Sequence, residues 1–183
     1  VMSYSEPDIV KDFDETVERL SPGSLRGQIF RGKALRGVRL ETGPDSAVQS
    51  FFKYIGLLGV LGRDKFIPPD MFFLPENQVW ILLSALWTTD GTGVAMESSR
   101  LDRPLSGQTS RRSDIKYYSK SERLCRDVQA LLLRVGVRSI VRPHTGSLGG
   151  RKFPNWVVAV TTSHSKRKFL QNTKVLGRGN WSE

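Results

Sequence analysis

A carboxylate at the end of the most apolar segment is the first group in this chain that could do chemistry. Leu83-Ser84-Ala85-Leu86-Trp87-Thr88-Thr89-Asp90-Gly91 reads as a helix with small residues on one side and an acid in its last turn. Ser84, Ala85 and Thr88 would let a second helix approach backbone to backbone. A carboxylate emerging at the end of such a pair would lie on its axis, where it could hold a divalent cation against a phosphate. Read alone, the same segment is more simply a core helix closed by an ordinary Asp-Gly turn. Few other groups compete. Cys125 is the single cysteine, so it cannot close an intrachain disulfide, and between Leu124 and Arg126 it reads as a small core residue. The two histidines, His144 and His164, exclude a histidine-rich metal site.

Charge narrows the partners. Lys and Arg number 28 against 18 Asp and Glu, a formal charge of +10 at pH 7, which favours nucleic acid or an acidic membrane surface. Residues 1–20 run the other way, with Glu6, Asp8, Asp12, Asp14, Glu15 and Glu18, so the positive charge is concentrated downstream. Between Ser21 and Leu40 stand Arg26, Arg31, Lys33, Arg36 and Arg39 with no acid at all. Bases spread over strands, and not along one amphipathic helix, argue against a membrane surface. No run approaches the ~18 apolar residues of a membrane span. The N-terminus lacks the charged start and apolar run of a signal peptide, so the expectation is an intracellular protein. With 183 residues, 38% of them hydrophobic, the chain can bury a core, either as one domain or as two small halves.

The elements that must position these groups follow from periodicity. Ser5 can cap a helix with Pro7 in its first turn and Ile9, Phe13, Val17 and Leu20 on one face. Pro22 and Gly23 stop it, and Leu25 to Leu40 reads as two antiparallel strands around Arg31-Gly32-Lys33, with the basic residues on one face. Asp45 or Ser46 can cap a second helix that turns Val48, Phe51, Phe52 and Ile55 inward and ends near Gly56 to Gly59. Pro68 and Pro69 mark a linker. Pro75 opens the helix ending at Asp90-Gly91, so apolar all round that it is expected to be buried. Short strands are expected around Val94 to Ser98 and Asp114 to Tyr118, with a basic loop between them. Ser119 and Glu122 read as a capping box for a helix with Leu124, Val128, Leu131, Leu132 and Val135 at helical spacing and Gly136 as its stop. Strands Val137 to Arg142 and Asn155 to Thr161 follow, joined through a glycine-rich turn from Pro143 to Gly150 that carries His144. A short helix around Lys166 to Leu170 comes last.

The order repeats. Tyr4-Ser5 opens helix, basic strand pair, helix, and Tyr118-Ser119 opens the same series again. Internal duplication accounts for this, with a second copy that has an apolar helix and two strands the first copy would carry ahead of Val1.

With these elements in place, the Asp90 segment resembles the LAGLIDADG motif, and its surroundings resemble the LAGLIDADG homing endonucleases of the type embedded in inteins of replicative DNA helicases. Lys65-Phe66-Ile67-Pro68 is similar to the family's K-x-I-P element. Tyr117-Tyr118-Ser119 through Gly136 is similar to its Y-x-S-x-S-x-x-L helix, and Trp156-Val157-Val158 with Phe169-Leu170 and Gly177 to its closing segment. The resemblance implies an α+β LAGLIDADG fold of pseudo-two-fold αββαββα halves with antiparallel DNA-binding sheets. The first half would be incomplete, residues 1–69 forming its C-terminal part and 70–183 the second half. It implies a site-specific endonuclease that binds double-stranded DNA and cleaves it with Mg2+ or Mn2+. Asp90 matches the metal-binding acid, with the Gly91 carbonyl nearby, and Lys65 the lysine beside the reacting phosphate. Thr88 stands where the motif's first acid would be.

The implied saddles place Arg26, Gln28, Arg31, Lys33, Arg36 and Arg39 on one half-site. Arg100, Arg103, Arg111, Arg112, Lys116, Arg138, Arg142, Arg151 and Lys152 fall to the other. A single-chain member has two motifs, each giving one acid, and here one is found. The missing first motif helix would come from upstream in the same chain or from a second chain, and without it the Pro75 helix would expose an apolar patch. A DNA-binding module that has lost cleavage, or an RNA-binding relative of the maturase kind, are the alternatives. Thr161-Thr162-Ser163-His164 has the T-x-x-H spacing of a splicing block but falls at the end of a late strand, where chance accounts for it. The implied location is the bacterial cytoplasm, at the nucleoid, with no membrane partner.

Overall fold

The computed structural model describes residues 2–3, 11, 15–16, 19, 28–31, 36–39, 47–93 and 115–175. They divide into two compact units, Val1–Gly59 and Val60–Glu183. In the first unit, β1 (Met2–Ser3), β2 (Gln28–Arg31) and β3 (Arg36–Arg39) form an antiparallel sheet of order β1-β3-β2. Lys11, Glu15, Thr16 and Arg19 are helical, with an exposed Lys11–Glu15 pair at 3.8 Å. The residues expected to form the apolar face of that helix lie outside the described set. Helix α1 (Ala47–Tyr54) ends where Gly56 N–H bonds Lys53 C=O and Leu57 N–H bonds Phe52 C=O, the paired bonds of a Schellman stop. One expectation fails here: Phe51 and Phe52, meant to turn inward, are 50% and 41% exposed. No described element of this unit packs over them.

The second unit carries the expected αββαββα series. It runs α2 (Glu76–Asp90), β4 (Gly91–Thr92), β5 (Lys116–Ser119), α3 (Glu122–Arg134), β6 (Ser139–Leu148), β7 (Arg151–Val160) and α4 (Ser163–Asn172), with a 3-10 turn at Pro69–Phe73 ahead of α2. The sheet is antiparallel throughout, in the order β4-β5-β7-β6. One face of the sheet supplies Tyr117, Val158 and Val160 to a core shared with Val79, Trp80, Leu83 and Trp87 of α2, Leu124, Cys125, Val128, Leu131 and Leu132 of α3, and Phe169 of α4. The Cys125 thiol, fully buried, is pushed up to about 12, chiefly by burial, opposed by a hydrogen bond from the Ser119 backbone and aided by the Glu122 charge. The β1-β3-β2 order of the first unit repeats the β5-β7-β6 order of the second, as a duplicated unit requires.

Several local expectations are corrected. The cap of α3 is Ser121, whose side chain accepts from Leu124 N–H; Ser119 ends β5, and its hydroxyl accepts from Ser121 N–H instead. The stretch from Pro143 to Leu148, read as a loop, is the second half of a ten-residue β6, and the turn is Gly149-Gly150 alone. Both glycines have positive φ, 56° and 78°, as the mirror-type hairpin turn demands. Prolines are tolerated because β6 is the edge strand, and Pro154 in β7 lies beyond the four residues that pair with β5. Helix α4 is longer than expected because Thr162 caps it, accepting from Ser165 N–H at 3.1 Å. The strand expected at Val94 to Ser98 lies outside the described residues.

Candidate metal and nucleic-acid site

Helix α2 starts after Pro75 and stays helical because it is built from Leu, Ile, Ala, Val and Trp with no interior glycine or proline. Its polar side chains bond back to its own backbone: Ser84 Oγ donates to Trp80 C=O at 2.7 Å and Thr88 Oγ1 to Ser84 C=O at 2.8 Å. The expectation of a fully buried helix is half right. Val79, Trp80, Leu83 and Trp87 are buried, whereas Ile81 is 62% exposed and Ala85 is exposed on the other side. No described element covers that side. Ser84 is half-covered by the chain's own C-terminal stretch, where Lys174 N–H donates to its hydroxyl at 3.0 Å.

Asp90 is the last residue of α2, exposed, and Gly91 begins β4 opposite Tyr117. Two features fix this corner. Gly91 N–H bonds Trp87 C=O, and a Cβ on Gly91 would collide with the Trp87 indole and backbone. Gly91→Ala is therefore expected to lower stability by about 1–3 kcal/mol, the usual cost of overpacking, read as a reduced midpoint in urea. Beneath the corner, the Tyr117 phenol is raised well above its ordinary value, first by burial and then by the negative charge of Asp90, which places that carboxylate's field on the tyrosine.

Lys65 is exposed, and its carbonyl accepts from Ser121 Oγ at 2.6 Å. Ser121 follows the end of β5, and β5 pairs with Gly91, so the two candidate catalytic residues are tethered to one short strand. As metal donors, the Asp90 carboxylate and a backbone carbonyl at Gly91 are hard oxygens of the kind Mg2+ takes, a cation that keeps waters and shares phosphate oxygens. Among the described residues no cluster of three His, Cys, Asp or Glu could hold a metal. Two such oxygens suit a cation that completes its shell from waters and phosphate oxygens.

The sheet face turned away from the helices is the candidate nucleic-acid surface. Strand alternation puts Lys116 and Tyr118 of β5, Arg142 and His144 of β6, and Asn155, Phe153 and Arg151 of β7 on it together. Tyr118 and His144 are in ring contact at 5.1 Å. Lys152 falls on the opposite face, near the hairpin tip, and Arg138 precedes β6. In the first unit the register sets Gln28 opposite Arg39 and Arg31 opposite Arg36. Arg26, Lys33, Arg100, Arg103, Arg111 and Arg112 lie outside the described residues. Tyr118 and Asn155 carry no signal in the sequence; His144 reads there as a surface or DNA-backbone residue in a turn, because Pro143 and the glycines disguise the strand that brings it beside them. No helix among the described residues is long and apolar enough to cross a membrane.

Comparison with known proteins places this geometry. The replicative DNA helicase DnaB of Synechocystis sp. is 28% identical over 123 residues, 67% of this chain and 13% of the helicase. That of Rhodothermus marinus is 26% identical over 144 residues, 78% of this chain and 14% of the helicase. The chain thus spans only a small fraction of these relatives. Among solved structures, mesophilic variants of the homing endonuclease I-DmoI match with a TM-score of 0.55 and 12% identity, over 93% of this chain and 76% of that one. I-DmoI in complex with DNA and manganese matches with a TM-score of 0.52 and 14% identity, over 90% of this chain and 71% of that one. These likenesses establish the fold. The sequence model of the LAGLIDADG-like domain matches residues 77–174, from the start of α2 to the residue that docks on Ser84, more than half of the chain. The chain belongs to the LAGLIDADG-like domain family.

Proposed function

We propose that this chain is the endonuclease part of an intein interrupting a replicative DNA helicase, and that it binds double-stranded DNA at a specific site and cleaves it with a divalent metal. The observation that carries the reading is the corner at Asp90: an exposed carboxylate on the last residue of α2, beside an apolar helix face that no described element covers. That combination suits a helix paired with another of its kind, each giving one acid to a common site. The partner helix would come from upstream in a longer chain or from a second chain, with residues 1–69 and 70–183 as the two halves. The helicase matches, in which the aligned region is about 13% of the length, support an inserted element. The I-DmoI complexes with DNA and magnesium or manganese support both the ligand and the metal.

In this reading Asp90 holds the ion and the Gly91 carbonyl lies beside it. A bound Mg2+ supplies polarisation of the phosphodiester and an activated water. Lys65 Nζ places a positive charge where charge develops on the phosphate. Lys116, Arg142 and Arg151 fix the duplex by its backbone, while Gln28 and the arginines of the first unit serve the other half-site. The cytoplasm of a bacterium, at the nucleoid, is the proposed location.

Titrating a fluorescent duplex at increasing salt tests the nucleic-acid half of the proposal. With about six phosphates neutralised, the slope of log affinity against log salt is expected near −5. A slope near zero contradicts DNA binding by the basic sheet. Steep salt dependence with duplex DNA, without cleavage even when the chain is extended upstream, marks a binding module. Preference for RNA over duplex DNA marks a maturase-like relative.

A further inference from the structure

The segment carrying Lys65 is held residue by residue from the start of α3. Pro68 and Pro69 contribute no N–H, and Pro68 keeps Ile67 extended, so residues 65–67 cannot satisfy their own backbone as a turn of helix. Ile67 is nonetheless buried in the core, where an orphaned N–H is costly. Asp127 Oδ2 accepts that N–H at 2.9 Å. Ser121, buried, uses its hydroxyl twice, accepting from Leu124 N–H at 3.0 Å and donating to Lys65 C=O at 2.6 Å. Between them the Arg123 guanidinium lies 4.5 Å from the centre of the Phe66 ring. Lys65, Phe66 and Ile67 therefore each have one partner in the first two turns of α3. That helix follows β5, the strand that pairs with Gly91 next to Asp90.

We propose that Ser121 and Asp127 are positioning residues, fixing Lys65 relative to Asp90; this rests on the reading of Lys65 as a cleavage residue. A catalytic group displaced by about 1 Å can cost a hundredfold in rate, so a clamp at the backbone of the lysine itself controls its contribution without touching DNA.

The test is a double-mutant cycle in single-turnover, magnesium-dependent cleavage by the full chain. Asp127→Ala is expected to slow cleavage on the order of tenfold, to leave DNA affinity unchanged, and to have no further effect in a Lys65→Ala background. Asp127→Asn, which keeps an acceptor oxygen, is expected to recover most of the rate. Additive losses from Asp127→Ala and Lys65→Ala, or a loss of affinity in place of rate, overturn the proposal. A second measurement reads the clamp without cleavage of DNA. Trypsin is expected to cut after Lys65 about tenfold faster in Asp127→Ala and in Ser121→Ala than in wild type, relative to cutting after Arg151 in the β6–β7 turn. Equal rates overturn the clamp. No DNA cleavage by wild type extended upstream to supply the partner helix contradicts the nuclease reading and with it the catalytic half of the proposal, while the trypsin result still decides the structural half.

Discussion

Trp87→Ala is expected to lower the unfolding free energy by about 3–5 kcal/mol, a large fraction of the ~5–15 kcal/mol that holds an ordinary domain folded. Trp87 is fully buried, with its ring centre 4.6 Å from that of Phe169 and 5.4 Å from that of Tyr117. It joins α2 to α4 and to β5, so its removal leaves a cavity at the meeting of three elements. The indole Nε1 finds no acceptor among the described residues. Trp87→Phe deletes that donor along with part of the ring, so it is expected to cost far less than the alanine substitution. Urea unfolding followed by circular dichroism measures both. A loss below about 1 kcal/mol for Trp87→Ala would place the core elsewhere.

Asp90→Asn is expected to cut magnesium-dependent cleavage on the order of a thousandfold while shifting stability by less than ~0.5 kcal/mol, because the side chain is exposed on the final residue of α2. Duplex affinity is expected to hold or rise slightly, since a carboxylate facing phosphates repels them. The split between rate and binding separates a metal-holding role from a structural one. Equal loss of both would mean that Asp90 shapes the corner and does not serve the reaction.

Much of this was legible in the chain, and particular residues show why the rest was not. The helices at Glu76–Asp90 and Glu122–Arg134 announce themselves by apolar spacing, and Gly136 stops the second as its position predicts. Periodicity does not report what stands opposite a face. The Pro75 helix looked buried all round, yet Ile81 and Ala85 face outward, and Phe51 and Phe52 do the same on α1. The β6–β7 hairpin was read too short because Pro143, Thr145 and Gly146 resemble a loop; the edge position of β6 that tolerates the proline is a property of the sheet order. The Ser119 capping box was a plausible local pattern displaced by two residues. Ser121 caps instead because its hydroxyl also reaches Lys65, a contact between residues 56 apart that no local spacing encodes. In the candidate site, Asp90 and Lys65 were readable as types and motifs. Their tethering to β5, and the Tyr118, His144 and Asn155 face, came only with the register.

The most direct measurement is cleavage of a supercoiled plasmid bearing the uninterrupted junction of a replicative helicase gene, beside the same plasmid with the inserted sequence present, each with and without magnesium. The account predicts linear product from the uninterrupted junction alone, only with magnesium, from this chain or from a version extended upstream to supply the partner helix, and none from Asp90→Asn. Product without metal, equal product from both plasmids, or none from the extended chain would contradict it.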